Sequence, residues 1–187
     1  MYSAICAKKL GVPFGNLLVA TNENRVLADV FQTGKYTTKD RTLVKTKSCA
    51  MNILTSSNFE RLLSDLFGSD RTLELYNNFI SSQEFQLTKT ELGILQSIGV
   101  TAMEIKEHES DAYLRHINDE YKYLLCPHSA VAAAACNNSG GKMMFAATAH
   151  PQKFEHSTEI TDRPQPHPWL EQLSQKSLHN NIYPGNI

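Results

Sequence analysis

LLVATNENRVLADVFQTG, Leu17 to Gly34, reads as a strand followed at once by a helix. Leu17 to Ala20 is short and uniformly apolar, the pattern of a strand buried on both faces and hydrogen-bonded in parallel. Asn22 and Asn24 offer helix caps. Val26, Leu27, Val30 and Phe31 then fall on one helical face, and Gly34 is a stop signal. A continuous apolar run giving way to a 3.6-residue period is the signature of an α/β unit.

The same alternation extends outward. Tyr2 to Leu10 reads as the end of a helix, with Gly11 and Pro13 as its stop signals. Downstream, Lys35 to Lys47 is a polar loop, and Met51 to Leu54 is a candidate strand. Ser57 and Glu60 have capping-box spacing ahead of a helix that buries Leu62, Leu63, Leu66 and Phe67 and stops at Gly68. Thr88 and Glu91 repeat the pattern ahead of Leu92, Leu95 and Ile98. Ser110 is placed to cap a helix reaching Tyr121, and Pro127 suits the first turn of another over His128 to Cys136. Asn137 to Gly141 is a turn, and Met143 to Ala147 is a further candidate strand. From His156 the composition shifts to Pro, Gln, His and Asn, and Arg163 to Trp169 reads as a linker. The expected organisation is one α/β body over residues 1–155 and a loosely ordered tail over 156–187, with three or four strands in a largely parallel sheet.

Bulk properties narrow the function classes. The chain has 187 residues, 41% of them apolar, and a net charge of −1, so nothing in its charge favours nucleic acid or an anionic membrane. No apolar run approaches the ~18 residues that span a bilayer. Cys6, Cys49, Cys126 and Cys136 are scattered, without C-x-x-C or zinc-ligand spacing to a histidine. No metal site is expected, and a reducing, cytoplasmic setting is the default. Gly140-Gly141-Lys142 follows a helix and precedes a strand, the wrong order for a phosphate loop, and reads as a turn. His128 and His150 are the two histidines in motif-like surroundings, where hydrogen bonding outweighs metal binding as an expectation. No G-x-S-x-G anchors a serine nucleophile.

Four blocks carry a more specific signal. They are AKKLGVPFGNLLVATNENRVLADVFQTGKY (Ala7 to Tyr36), AMNILTSSNFERLL (Ala50 to Leu63), LLCPHSAVAAAA (Leu124 to Ala135) and AATAHPQKF (Ala146 to Phe154). Their order and spacing resemble the threonine synthase family, and CPHSAV is similar to the threonine synthase-like proteins of animals. The resemblance implies a pyridoxal-phosphate (PLP) enzyme of fold type II, like the tryptophan synthase β chain. This chain would form the C-terminal part of its catalytic domain. It also implies O-phosphohomoserine as substrate, converted to threonine and phosphate or, in some relatives, to a keto acid by phospho-lyase chemistry. One cofactor contact carries over: Thr148, matching the threonine that hydrogen-bonds the pyridine nitrogen.

The departures are as informative. Cys126 stands where the family has Asp, removing a helix cap worth about 1 kcal/mol. Asn52 replaces Asp, and Cys49 replaces Pro. No S-x-K segment or glycine-rich phosphate loop matches, so no catalytic residue is assigned, and the chain alone is expected to be inactive. A shortened, non-catalytic interaction or signalling protein is the alternative. No oligomeric state follows from these residues.

Overall fold

The computed structural model describes residues 1–140, 142–159 and 167–177. At its centre, β1 (Leu17–Thr21) and β4 (Val100–Glu104) pair in parallel, Leu17 opposite Val100 and Thr21 opposite Glu104. Leu17, Val19 and Ala102 pack into one core, while Leu18, Ala20 and Met103 pack into another. Leu17 to Ala20 is apolar at every position because both faces of the strand are covered.

The larger core is built by α1 (Tyr2–Lys9), α2 (Val26–Thr33), α3 (Ser57–Phe67), α4 (Ser69–Ser82) and α5 (Lys89–Ser97). Within it lies a small antiparallel pair, β2 (Lys35–Thr37) with β3 (Glu84–Gln86). Tyr36 is fully buried there, stacked between Phe59 and Phe85 at centroid separations of 5.6 and 5.0 Å. On the other side of β1, α7 (Pro127–Ser139) buries Val131, Ala134 and Ala135 beside the sheet. Its Ala130 and Ala133 meet Leu114 of α6 (Glu107–Tyr121). The alanines let backbones approach closely, since each adds only one methyl to the helix radius.

Several expectations hold. Gly34 ends α2 in the left-handed region, at φ 75°. The Thr88–Glu91 capping box is complete: Glu91 N–H donates to Thr88 Oγ1 at 3.2 Å and Thr88 N–H to Glu91 Oε2 at 2.7 Å. Pro127 opens α7. The α/β class holds, with the parallel pair the longer of the two pairings.

Others are corrected. Met51 to Leu54 is not a strand; Cys49–Met51 forms a 3₁₀ turn and the chain then runs irregularly to α3. Met143 to Ala147 is irregular too, with Met144 83% exposed. Apolar runs become strands only where a neighbouring backbone completes their hydrogen bonds, and no described strand lies beside either. The polar stretch from Lys35 contains β2. Helix α3 begins one residue earlier than its capping box required, with Ser56 rather than Ser57 at the cap and no side-chain cap bond. Ser110 lies inside α6, its hydroxyl donating back to Glu107 O at 2.9 Å, while Glu109 makes the capping bond to Lys106 N–H at 2.8 Å. Helix α4 is an addition; its signal is the spacing of Leu75, Tyr76 and Phe79 after Gly68. The expected tail contains α8 (Glu155–Glu159), which spans the anticipated 155/156 boundary, and α9 (Pro168–Ser174). Arg163 to Gln165 and Pro166 of the expected linker, with Gly141 of the expected turn, lie outside the described residues.

Candidate functional site

The four sequence blocks, far apart along the chain, are tied to one another by side-chain hydrogen bonds. The first tie joins β1 to the loop before α3. Asn22, buried just past the end of β1, donates through Nδ2 to Thr46 Oγ1 (2.9 Å), Ser48 Oγ (3.1 Å) and Asn52 Oδ1 (3.1 Å). Asn24 exchanges a pair of hydrogen bonds with the Val44 backbone, at 2.8 and 2.9 Å. These asparagines were expected to cap α2. They instead hold the 44–52 loop, and α2 starts after Arg25 without a side-chain cap. Asn52 completes the arrangement by accepting from Thr46 Oγ1 at 2.7 Å and donating to Thr46 O at 3.0 Å. Its amide does both jobs, and a carboxylate could only accept.

The second tie runs from that loop to the N-terminus of α7. Ala50 N–H donates to His128 Nε2 at 2.9 Å. With Nε2 accepting, a neutral His128 carries its proton on Nδ1. The imidazole also packs against Phe154, centroids 4.6 Å apart. His128 thus bridges the second, third and fourth blocks.

The third tie joins α7 to Thr148. Ser129, in the first turn of α7 and 1% exposed, accepts from Thr148 N–H at 3.1 Å. Its Oγ lies 3.4 Å from Thr148 Oγ1 and 3.1 Å from Cys126 Sγ. Cys126 Sγ accepts from Ser129 N–H at 3.4 Å and lies 3.5 Å from Thr148 Oγ1. The sulfur therefore caps α7 in place of the missing aspartate, correcting the expectation that the cap is lost. Cys126 is buried, which by itself raises a thiol pKa. Hydrogen bonds from His128, the Ser129 and Thr148 hydroxyls and the Ser129 backbone outweigh that, lowering it to about 5.

Thr148 is itself exposed, with its hydroxyl resting on the buried Ser129 and Cys126. Beside it, His150 accepts from Gln152 N–H at 3.3 Å and so makes the local turn at Pro151. His156 of α8 pairs with Asp111 of α6 at 2.7 Å, and Lys47 reaches the same carboxylate, which is held below the usual range although burial opposes it. Of the sequence-derived candidates, Thr148 and His128 come together through α7. Ser129 was missed as a site residue, because nothing in its sequence context separates it from an ordinary helix serine. Among the described residues no cluster of three or more His, Cys, Asp or Glu could hold a metal ion. No described helix is long and apolar enough to cross a membrane. All four cysteines are free.

No family model matches the chain. Over 157 residues, 81% of its length, it is 36% identical to threonine synthase-like 1 of Macaca fascicularis, of which the match covers 21%. It is 34% identical over 170 residues to threonine synthase of Saccharomyces cerevisiae, covering 79% of this chain and 33% of that protein. The crystal structure of PLP-bound threonine synthase from Brucella melitensis superposes with a TM-score of 0.84 at 31% identity, over 94% of this chain and 39% of that one. The chain thus spans about a fifth to a third of the curated relatives it matches.

Proposed function

Because the chain belongs to the threonine synthase family, with the α/β architecture of fold type II, we propose that it supplies the ring-nitrogen side of a PLP site. The reaction proposed for that site is conversion of O-phosphohomoserine to threonine and phosphate. When bound, PLP supplies an electron sink for the carbon chemistry. The observation that carries this reading is the exposed Thr148 hydroxyl, held from beneath by Ser129 and Cys126 and flanked by the His128–Phe154 contact.

The donor set suits one edge of PLP. A ring nitrogen takes a single hydrogen-bonding group in the ring plane, and a hydroxyl on a short, β-branched side chain is a compact group for that place. Thr148 would hydrogen-bond the nitrogen and help to position that edge of the ring. His128 holds the Ala50 loop against the end of α7, so the segments bordering Thr148 keep their spacing. A neutral hydroxyl stabilises positive charge on the ring less than a carboxylate would, which favours elimination and replacement over chemistry demanding a stronger electron sink.

These residues complete one side of the proposed site, and the chain by itself is expected to release no phosphate from O-phosphohomoserine. The test is a chain joined to the remaining segment of a relative, bearing threonine or valine at 148. Thr148→Val should still bind PLP, weakened by the roughly 0.5–1.5 kcal/mol of a neutral hydrogen bond, and should lose turnover more than binding. Normal turnover in the valine variant would remove Thr148 from the site. Phosphate release by the unextended chain would remove the claim that it forms only one side.

A further inference from the structure

We propose that the free edge of β1 is a docking surface for an apolar strand from the part of the threonine synthase fold outside the match, added parallel to β1. The register of the β1–β4 pair fixes which backbone groups that edge presents. Leu17 N–H donates to Gly99 O at 2.8 Å and Ile105 N–H to Thr21 O at 2.9 Å, so the odd-numbered residues of β1 face β4. Leu18 and Ala20 therefore turn their N–H and C=O groups the other way. No described residue pairs with these backbone donors and acceptors. The side chains of β1 pack on both faces, Leu17 and Val19 into one core and Leu18 and Ala20 into the other, yet all four residues stay half-buried. With the faces covered, the edge is what remains open.

The two edges of the sheet are not alike. Charge and proline protect a strand edge from pairing, and Leu17 to Thr21 has neither. The edge beyond β4 ends in Glu104, which is paired with Arg25 and Lys106. The match takes in 94% of this chain but 39% of the PLP-bound synthase from Brucella melitensis, so most of that fold lies outside it. A second copy related by a two-fold axis could offer its own β1 edge only in antiparallel register, because Leu18 and Ala20 must face each other directly to exchange bonds. A strand that is apolar throughout and covered on both faces has the composition of a parallel sheet, and β1 already pairs in parallel with β4. The occupant that fits is thus the parallel synthase strand. Docking concerns the sheet and not the ring-nitrogen contact, so each can fail alone.

The experiment titrates the 187-residue chain with overlapping synthetic peptides that tile the part of the B. melitensis synthase outside the match. Amide hydrogen exchange is read residue by residue by ¹⁵N NMR. In the free chain, Leu18 and Ala20 should exchange about tenfold or more faster than Val19 and Thr21, which are bonded to β4. An apolar peptide of the set should slow Leu18 and Ala20 about tenfold or more and leave Val19 and Thr21 unchanged. N-methylation at alternate residues of that peptide should abolish binding in one phase and spare it in the other, since only every second N–H of a parallel strand reaches β1. Ala20→Pro removes an outward donor without removing a β1–β4 bond, and should weaken binding while the Thr101 and Met103 amides stay protected. If that variant does not fold, the methylated peptides carry the same test. Thr148→Val should bind the peptide normally, which separates failure of docking from failure of the ring-nitrogen reading. A set in which no peptide protects Leu18 and Ala20, or protection without the two-residue alternation, would overturn the proposal. Protection of Leu18 and Ala20 that rises with the chain's own concentration would give the edge to a second copy, and would overturn it as well.

Discussion

Removing one oxygen from Tyr36 should destabilise the fold far more than removing the same oxygen from its neighbour Tyr76. The Tyr36 hydroxyl accepts from Ser56 N–H at 2.8 Å. Ser56 is the N-cap residue of α3 and is 6% exposed, and Tyr36 is 0% exposed. In Tyr36→Phe the ring can keep its stacking with Phe59 and Phe85, so the loss is the hydroxyl alone. Ser56 N–H is then stranded without water, which costs about 1–3 kcal/mol rather than the ~1 kcal/mol of an exposed hydrogen bond. At a urea slope of ~2 kcal/mol/M, a loss of ~2 kcal/mol moves the unfolding midpoint down by roughly 1 M. Heating should show a fall of about 4–8 °C. The Tyr76 hydroxyl is buried and has no hydrogen-bond partner among the described residues, so Tyr76→Phe should change stability by no more than ~0.5 kcal/mol or increase it. The assay is urea unfolding followed by circular dichroism and tyrosine fluorescence, fitted with a shared slope. Equal midpoint shifts in the two variants would refute the claim that Ser56 N–H depends on Tyr36.

Gly34→Ala should cost about 2 kcal/mol or more, because φ is 75° and an added Cβ would sit 2.9 Å from Gln86 Nε2 and 3.4 Å from Leu87 Cβ; a thermal midpoint within a degree of the parent would contradict this. Arg71 grips Glu91 through two hydrogen bonds, at 2.6 and 3.2 Å, and holds its pKa down to about 2. The folded pKa is depressed, so the linked stability is present above the ordinary carboxylate value of 4.5 and fades as pH falls toward 2. The contribution is ~1–3 kcal/mol after solvent screening, and Glu91→Gln should flatten the acid limb of the stability profile. Met144 is 83% and Phe145 37% exposed in an unpaired segment, so the chain should bind a hydrophobic dye and sediment faster as concentration rises. Met144→Glu with Phe145→Lys should suppress both, and a parent chain that stays monomeric without dye binding would count against this reading.

What the sequence alone determined is local or cumulative. Leu17 to Ala20 is apolar at every position because both faces of β1 are covered, and that composition is visible before any partner is known. Thr88 and Glu91 lie three residues apart, so their reciprocal bonds need no other part of the chain. The four blocks identify the family because their order accumulates information that no single block holds. Tertiary structure decided the rest, since it depends on which groups meet across long separations. Met51 to Leu54 and Met143 to Ala147 have strand composition, but a strand requires a neighbouring backbone in register, and β1 found one in β4. The Ser56 donor at the start of α3 is satisfied by Tyr36, 20 residues earlier, and no capping pattern encodes that bond. Thr148 was legible as a candidate through its block, while Ser129 was not. Its role arises from a contact spanning 19 residues, made where the turn into α7 brings Cys126, Ser129 and Thr148 within hydrogen-bonding range.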